Sequence, residues 1–516
     1  MSGIEDTQHL IGIPEWYAGK NIFITGSTGF MGKVLVEKLL RDCPDINCLY
    51  LLIRRKKGME PAQRKEEYFS SEIFDLLRKS NPGQFEKIRI IKGDVLQDNL
   101  GISEDDHAEL MKNVNVVFHC AANVRFDQPL RQAVEMNTVG THRALQLAEG
   151  IKNLKVFVHV STSYCHCNED VLEEHAYPSP HNPIGIIHMI RSLNDGLLEQ
   201  ITPKLLNGLP NTYAYTKALT EGLVQTYDGK LPIIVCRPSI VTAVKSEPLP
   251  GWVEGTNGPT GLMIGAARGV IRTMHCNPDY PSDLVPVDTA INALIVAAWD
   301  RAQMQTNHIE FMNVCLSHKN LPTWGENLET GKRIFYENPL CFSLWYPDGS
   351  IKSNYYHHLF AVLFFHYLPA YLIDMGLVLI GQKPFLVRVQ KKVSTGLKVL
   401  QYYTTKIWVF KNDKLENLPQ KLSPRDRERF DLTVDQINWE KYLHDMIMGV
   451  RVYLLKESPE TIPQARRILR RLYILDRVIV FAFYGLMFWF LWNYLEVILD
   501  SIGGFFNLCL GFTHSV

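Results

Sequence analysis

The sequence predicts an α/β protein: a doubly wound parallel sheet, then a helical C-terminal region and a C-terminal transmembrane helix. Three observations predict it. Across the first 300 residues, short apolar runs alternate with amphipathic stretches, the pattern of a parallel sheet covered by helices on both faces. The first of those runs passes directly into a glycine-rich turn. Farther on, residues 478–492 read VIVFAFYGLMFWFLW, 15 residues without a charge, and few soluble helices are apolar all round.

Composition narrows the class. Hydrophobic residues make up 46% and charged residues 21% of the 516, a balance that folds. Lys+Arg and Asp+Glu are both 54, so the chain has no basic field for nucleic acid, and none is expected as a partner. The ten cysteines are scattered and the N-terminus lacks a basic-then-apolar leader, which points to a reducing compartment.

The elements follow in order. Residues 21–25 (NIFIT) form a short strand buried on both faces, ended by Gly26. The next residues are Gly26, Ser27, Thr28, Gly29, Phe30, Met31 and Gly32, then an amphipathic helix over 33–40. Strand, glycine loop, helix is the context in which three glycines bind a dinucleotide. Gly26 permits the tight turn, Gly29 lets backbone approach a pyrophosphate, and Gly32 lets helix pack on strand. The helix N-terminus then offers free N–H groups to the phosphates. Further strands are expected at 48–53, 88–92, 114–120 and 155–161, with helical stretches between them, notably 130–150. The polar stretch 56–87 is long enough to carry a helix of its own.

The end of the second strand selects the cofactor. An acidic residue there would bind a ribose 2′-hydroxyl, but this chain has Arg54, Arg55, Lys56 and Lys57. Arg54 and Arg55 would clamp a 2′-phosphate, so NADPH is expected. Asp94, after the third strand, is placed to accept from the adenine amino group.

Tyr213 and Lys217, four apart on one helical face, supply a chemistry. A tyrosine can protonate a carbonyl oxygen as hydride arrives, and a nearby ammonium lowers its pKa from about 10 and can hold the nicotinamide ribose. The pair lies about 185 residues beyond the glycine loop, with a strand ending in Ser161, Thr162 and Ser163 between. Thr162 would donate to the same carbonyl oxygen; Ser161 and Ser163 are alternatives. Cys165, His166 and Cys167 cannot all reach one metal from a single turn and read as pocket or core residues, so no metal is expected. His119 reads as a structural residue at a strand end.

This constellation resembles the extended short-chain dehydrogenases, a Rossmann-fold superfamily. More specifically the chain resembles the fatty acyl-CoA reductases, over nearly its whole length. The likeness rests on TGSTGFMG at 25–32, HCAA at 119–122, NTVGT at 137–141, LPNTYAYTK at 209–217, RPSIV at 237–241, EPLPGW at 247–252 and VPVD at 285–288. It continues through YYTTKIWVF at 402–410, INWEKY at 437–442 and GVRVYLLK at 449–456. The resemblance implies an NADP-binding reductase domain over 15–330 and a C-terminal reductase-family domain over 355–457. It implies reduction of a long-chain fatty acyl-CoA to a primary alcohol with two NADPH and release of CoA. Ala121, Asn137 and Pro238, within those motifs, join the cofactor-binding set. Two other readings are a membrane-bound dehydrogenase of steroids or similar alcohols, which would lack the long region 355–455, and a non-catalytic nucleotide-sensing scaffold, which would not need Tyr213 and Lys217.

The expected membrane anchor is 478–499, long enough to span a hydrocarbon core of about 30 Å. Arg466, Arg467, Arg470, Arg471 and Arg477 precede it and no Lys or Arg follows Trp492, which puts the reductase in the cytosol. A second apolar run, 359–380, has Pro369 at its middle, and a span would leave His366 and Asp374 unpaired in lipid. It is expected to bend at Pro369 into a hairpin lying in the bilayer interface. The C-terminal THSV is neither a peroxisomal nor an endoplasmic-reticulum retrieval signal, so either membrane fits.

Overall fold

The computed structural model describes residues 11–54, 61–316 and 320–511, with side chains left out of the description at 61–62 and 496–511. Its strands are β1 Asn21–Thr25, β2 Cys48–Ile53, β3 Ile88–Lys92, β4 Val116–His119, β5 Val156–Val160, β6 Val171–Leu172, β7 Ile233–Pro238, β8 Ile240–Thr242, β9 Thr273–His275, β10 Leu284–Pro286, β11 Glu310–Val314, β12 Ser350–Lys352 and β13 Val409–Phe410. Seven make one all-parallel sheet in the order β11-β7-β5-β4-β1-β2-β3. β4, β5 and β7 are buried at every residue, which is why they read as unbroken apolar runs. Edge strand β3 mixes buried Ile88 and Ile91 with exposed Arg89 and Lys92. The first three strands have the ends read from sequence; β4 and β5 are shorter than expected, although the N–H groups of Asn115, Cys120 and Ser161 beside them still bond to β1 and β7.

The helices used below are α1 Phe30–Asp42, α2 Gly140–Gly150, α3 Thr212–Gln225, α4 Pro259–Ala267, α5 Val287–Gln303, α6 Trp324–Glu337, α7 Tyr355–Leu379, α8 Leu386–Thr404, α9 Trp439–Gly449 and α10 Ile462–Gly511. On one face of the sheet α1 and α5 bury Val34, Leu39, Leu294 and Trp299 against Ile22 and Val158. On the other, α2 buries Ala144 and Leu145 against Val117 and Phe157. The 56–87 stretch carries helices at Pro61–Phe69 and Asp75–Ser80.

The C-terminal region is woven into the body built on the parallel sheet. β13 pairs in parallel with β6. The Tyr442 hydroxyl on α9 donates to the Ala243 carbonyl at 2.8 Å and meets the Thr242 hydroxyl at 2.7 Å. Lys245 reaches Asp431 at 2.8 Å. Gly449 packs so closely that a Cβ there would lie 1.8 Å from the Gly251 carbonyl oxygen.

Two helices are long and apolar enough to cross a membrane, Tyr355–Leu379 and Pro459–Leu495. The first corrects the sequence reading. It does not fold back at Pro369: a π-turn over Leu363–Tyr367 precedes Pro369, which opens the next helical stretch where its missing N–H costs nothing. Nor are its polar residues unpaired. His366 Nε2 accepts from the N–H of Arg272 at 2.9 Å. Asp374 accepts from the N–H groups of Phe385, Leu386 and Val387 at 2.9–3.0 Å, capping α8. The chain reverses after Leu379, and α8 returns to the body, where Gln390 donates to Val270 and Tyr402 to Cys167. Both ends of this helical hairpin therefore sit on the same folded body.

On α10, Asp476 is buried and accepts from Trp345 Nε1 at 2.6 Å and Arg272 at 3.2 Å. Immediately beyond it the side chains open outward, with Phe481 75% and Trp492 72% exposed. Phe364 on α7 meets Phe483 on α10 at 6.4 Å, so the two apolar helices make one exposed surface. Deleting residues 478–516 should therefore leave a chain that still floats with lipid vesicles through α7, more weakly than the full protein. Complete loss of vesicle binding in flotation would show that α7 does not seek lipid.

Candidate active site

The glycine loop lies at the C-terminal end of β1. Gly26 has φ of 72°, and a Cβ on it would stand 2.6 Å from the Ala121 backbone nitrogen. A Cβ on Gly32 would lie 2.2 Å from the Gly26 carbonyl oxygen, so α1 can start this close to β1 only with glycine there. Ala121 N–H donates to Thr25 Oγ1 at 3.3 Å, tying the ends of β1 and β4 together. Tyr68 donates to the Ser27 carbonyl at 3.0 Å and pins the loop from behind. Gly29 is the N-cap of α1, so no side chain covers the first N–H groups of the helix. Thr28 and Gly29 are exposed, and the buried Ser27 hydroxyl has no protein partner among the described residues. Phe30 stacks on Trp252 at 5.6 Å, which leaves only its backbone at the helix start. An uncapped helix start, a cradle too tight for a Cβ and an unpartnered hydroxyl together fit a dinucleotide pyrophosphate.

Around this loop the other expected cofactor residues fall along one edge of the sheet. Arg54 follows β2 and is exposed; Arg55 lies outside the described residues. Asp94 follows β3, and its Oδ1 accepts from the Leu96 N–H at 3.0 Å. Asn137 is buried, accepts from the Asn123 N–H at 2.7 Å and donates to Thr216 on α3 at 3.0 Å. Pro238 ends β7, and its carbonyl accepts from the Ser163 N–H at 2.9 Å.

Tyr213, Lys217 and Thr162 come together at the same edge. Asn211 caps α3 by accepting from the Ala214 N–H at 2.9 Å, which sets Tyr213 in the first turn. The Thr162 hydroxyl lies beside the Tyr213 phenol. Burial pushes that phenol above its ordinary pKa and the nearby Cys165 pushes the same way, while the Thr162 hydroxyl pulls it down. Lys217 Nζ donates to the Val160 carbonyl at 2.7 Å. Burial lowers its pKa to about 8, with Cys165, Glu221 and Cys120 opposing. The ammonium was expected to draw the tyrosine pKa down; it is turned to Val160 instead, and burial dominates the phenol.

The three hydroxyls after β5 are now distinguishable. Ser161 donates to Glu221 at 2.6 Å and Ser163 to the Arg237 carbonyl at 2.7 Å. Thr162 alone of the three faces Tyr213. His119 bridges the Thr25 and Thr141 hydroxyls at 2.8 and 2.9 Å, and burial lowers its pKa to about 3, so it is a neutral structural residue.

Sequence reasoning missed Glu221. Its carboxylate is buried and accepts from Ser161, from Cys165 at 3.2 Å, and from Arg237 Nε and Nη2 at 3.0 and 2.7 Å; His166 Nε2 lies 3.2 Å away. Burial disfavours the His166 cation, yet Cys165 and Glu221 together raise its pKa to about 10. Cys165 and His166 thus have the acidic neighbour that their sequence did not reveal, and Arg237 balances its charge. The available signal was spacing: Glu221 is one helical turn beyond Lys217.

Nor did the sequence assign any residue of 355–455 to the site. Tyr403 accepts from Asn211 Nδ2 at 2.8 Å and packs on Phe126 at 5.6 Å, and Phe126 in turn packs on Tyr213 at 5.6 Å. Trp408 Nε1 donates to the Cys167 carbonyl at 3.1 Å. The 402–410 segment is a wall of this site.

Comparison with known proteins agrees with this geometry. Two models described as male sterility protein match residues 24–294 and 365–457. Fatty acyl-CoA reductase 1 of Mus musculus is 41% identical over 465 residues, covering 90% of each chain. Fatty acyl-CoA reductase wat of Drosophila melanogaster is 34% identical over 506 residues, covering 97% of this chain and 98% of its own. The reductase (R) domain of a non-ribosomal peptide synthetase from Mycobacterium tuberculosis shares the fold, with TM-score 0.55 at 16% identity over 87% of this chain and 95% of that one. With its parallel sheet, its glycine loop and a C-terminal region matched along with the rest, this chain belongs to the fatty acyl-CoA reductase family.

Proposed function

We propose that the protein reduces a long-chain fatty acyl-CoA to the primary alcohol, using two NADPH and releasing CoA. The observation that carries this reading is the meeting of Thr162, Tyr213 and Lys217 beside the uncapped start of α1, in a chain of this family. NADPH, when bound, supplies hydride to the thioester carbonyl and then to the aldehyde.

The residues of the chain do the rest. Tyr213 and Thr162 donate to the carbonyl oxygen, stabilising the charge that develops there. Tyr213 supplies the proton as the oxygen becomes a hydroxyl. As the resulting hemithioacetal collapses, its hydroxyl returns the proton to the Tyr213 phenolate, the C–S bond breaks and CoA leaves as the thiolate, which takes a proton from water. The reprotonated Tyr213 and Thr162 then serve the aldehyde, and Tyr213 regains its proton from solvent. Lys217, freed from the Val160 carbonyl, holds the nicotinamide ribose. Gly26, Ser27, Thr28, Gly29, Phe30 and Gly32 hold the pyrophosphate, Asp94 the adenine, and Ala121, Asn137 and Pro238 the nicotinamide side. Arg54, with Arg55, meets the 2′-phosphate.

On this reading α10 spans the bilayer of the peroxisome or endoplasmic reticulum, with the body on the cytosolic side where its arginines lie. The α7–α8 hairpin lies in the same leaflet, because both its ends rest on that body.

Tyr213→Phe should lower kcat by about 10²–10⁴ with palmitoyl-CoA while NADPH binding changes little, since only the proton donor is lost. Near-wild-type turnover would overturn the assignment. Arg54→Ala should weaken NADPH by about 1.5–3 kcal/mol and leave NADH almost unchanged in fluorescence titration; equal losses would make Arg54 a surface residue. Because the lowered pKa of Lys217 is about 8, its ammonium is present below that pH and is lost above it. NADPH affinity should therefore fall as pH rises through about 8, and Lys217→Arg should remove that step.

A further inference from the structure

A cavity lies between α4, α6 and α9, away from the cofactor edge. Its volume is about 210 Å³, and it is partly open to solvent. Its walls are apolar side chains, among them Met263, Leu328, Phe335, Leu443, Met446 and Ile447. None of the residues with a chemical role described above lines it.

Its two ends lead to different places. At one end Trp324 is shared with a narrow second cavity lined by Tyr164, Tyr403 and Trp408. Tyr403 packs on Phe126, which packs on Tyr213, and the Tyr164 N–H donates to Thr162 Oγ1 at 3.3 Å. That end lies beside the side chains that pack toward Tyr213 and Thr162. At the other end the lining includes Arg272, which binds Asp476 of α10 and gives its N–H to His366 of α7. Tyr336, also in the lining, stacks on Tyr346 at 5.6 Å, and Tyr346 meets Tyr473 of α10 at 5.1 Å. This end opens beside the two apolar helices.

The geometry points to this cavity as the site of the substrate's acyl chain: the thioester lies at Tyr213 and Thr162, and the chain passes Trp324 and runs toward the membrane helices. The inference rests on the reductase reading above. An apolar lining with one end toward the reaction centre and the other at a lipid-seeking surface suits a long hydrocarbon, whose burial scales with its length. The depth of the cavity then sets which chain lengths fit.

Gly331, on α6, tests this directly. It lines the cavity, and a Cβ added there meets nothing within 4 Å, so a larger side chain enters open space. Non-reducible thioether analogues of octanoyl-CoA and octadecanoyl-CoA would be titrated against the full-length protein in nanodiscs by calorimetry. Gly331→Phe should weaken the octadecanoyl analogue by about ten-fold or more and the octanoyl analogue by less than about two-fold, because only the long chain loses buried methylenes. Ile447→Phe, from α9, should give the same split, and Gly331→Ala should leave both unchanged. Equal effects on both analogues, or none on the long one, would overturn the inference. Turnover is scored separately: a wild type that binds in the predicted way but reduces no acyl-CoA would refute the reductase reading and leave the chain site standing.

Discussion

Glu221 is buried on α3, one turn beyond Lys217, and its carboxylate binds the loop after β5 and Arg237 on β7 at once. Three separate pieces of backbone are thereby held at one point. A buried pair of this kind adds little net stability, because desolvating both charges offsets most of their attraction. Removing one partner is another matter, since a stranded buried charge costs about 3–5 kcal/mol. What the pair fixes is geometry. Arg237 also donates to the carbonyls of Glu173 and His175, so the segment after β6, the strand that pairs with β13, is tied in as well. With Ser161 and Ser163 both bonded, the loop has one conformation in which Thr162 can face Tyr213.

The C-terminal region shares in that arrangement. Trp408 and Tyr402 both donate to the Cys167 carbonyl, and Tyr403 accepts from the residue that caps α3. The reductase body alone would leave Tyr164 without its aromatic neighbours and Phe126 with Tyr213 alone. This accounts physically for a region with no titrating group at the reaction centre: it shapes the wall against which an acyl thioester would be held.

Much of this was legible in the sequence, and the reasons differ by residue. The strands at 21–25 and 48–53 were readable because strands buried on both faces admit almost only apolar side chains, whereas the edge strand at 88–92 showed only as a short run of isoleucines. Gly26 and Gly32 were readable because a close backbone approach tolerates no Cβ, and the distances confirm the approach. Tyr213 and Lys217 were readable from spacing on one helix. Glu221 was not, since its partners lie up to 60 residues away and only the fold gathers them. Burial likewise could not be read from spacing, so the direction of the Tyr213 shift came out opposite to expectation. The hairpin of α7 and α8 was misread at Pro369 for a related reason: the partners of His366 and Asp374 are backbone N–H groups, which no sequence displays.

Asp476 is pinned by Trp345 and Arg272 just before the apolar stretch of α10 begins, and Arg477 pairs with Asp348 at 2.9 Å. The helix continues unbroken through this point, so no swivel separates the body from the apolar stretch. Anchored in a bilayer, such an enzyme is held at a fixed height and tilt, with the same face always toward the leaflet. Its substrate and product are both oily enough to reside there. The variable that governs its rate is then surface density, the mole fraction of acyl thioester in the leaflet, and inert lipid added at constant volume dilutes the reaction as surely as water dilutes a soluble one.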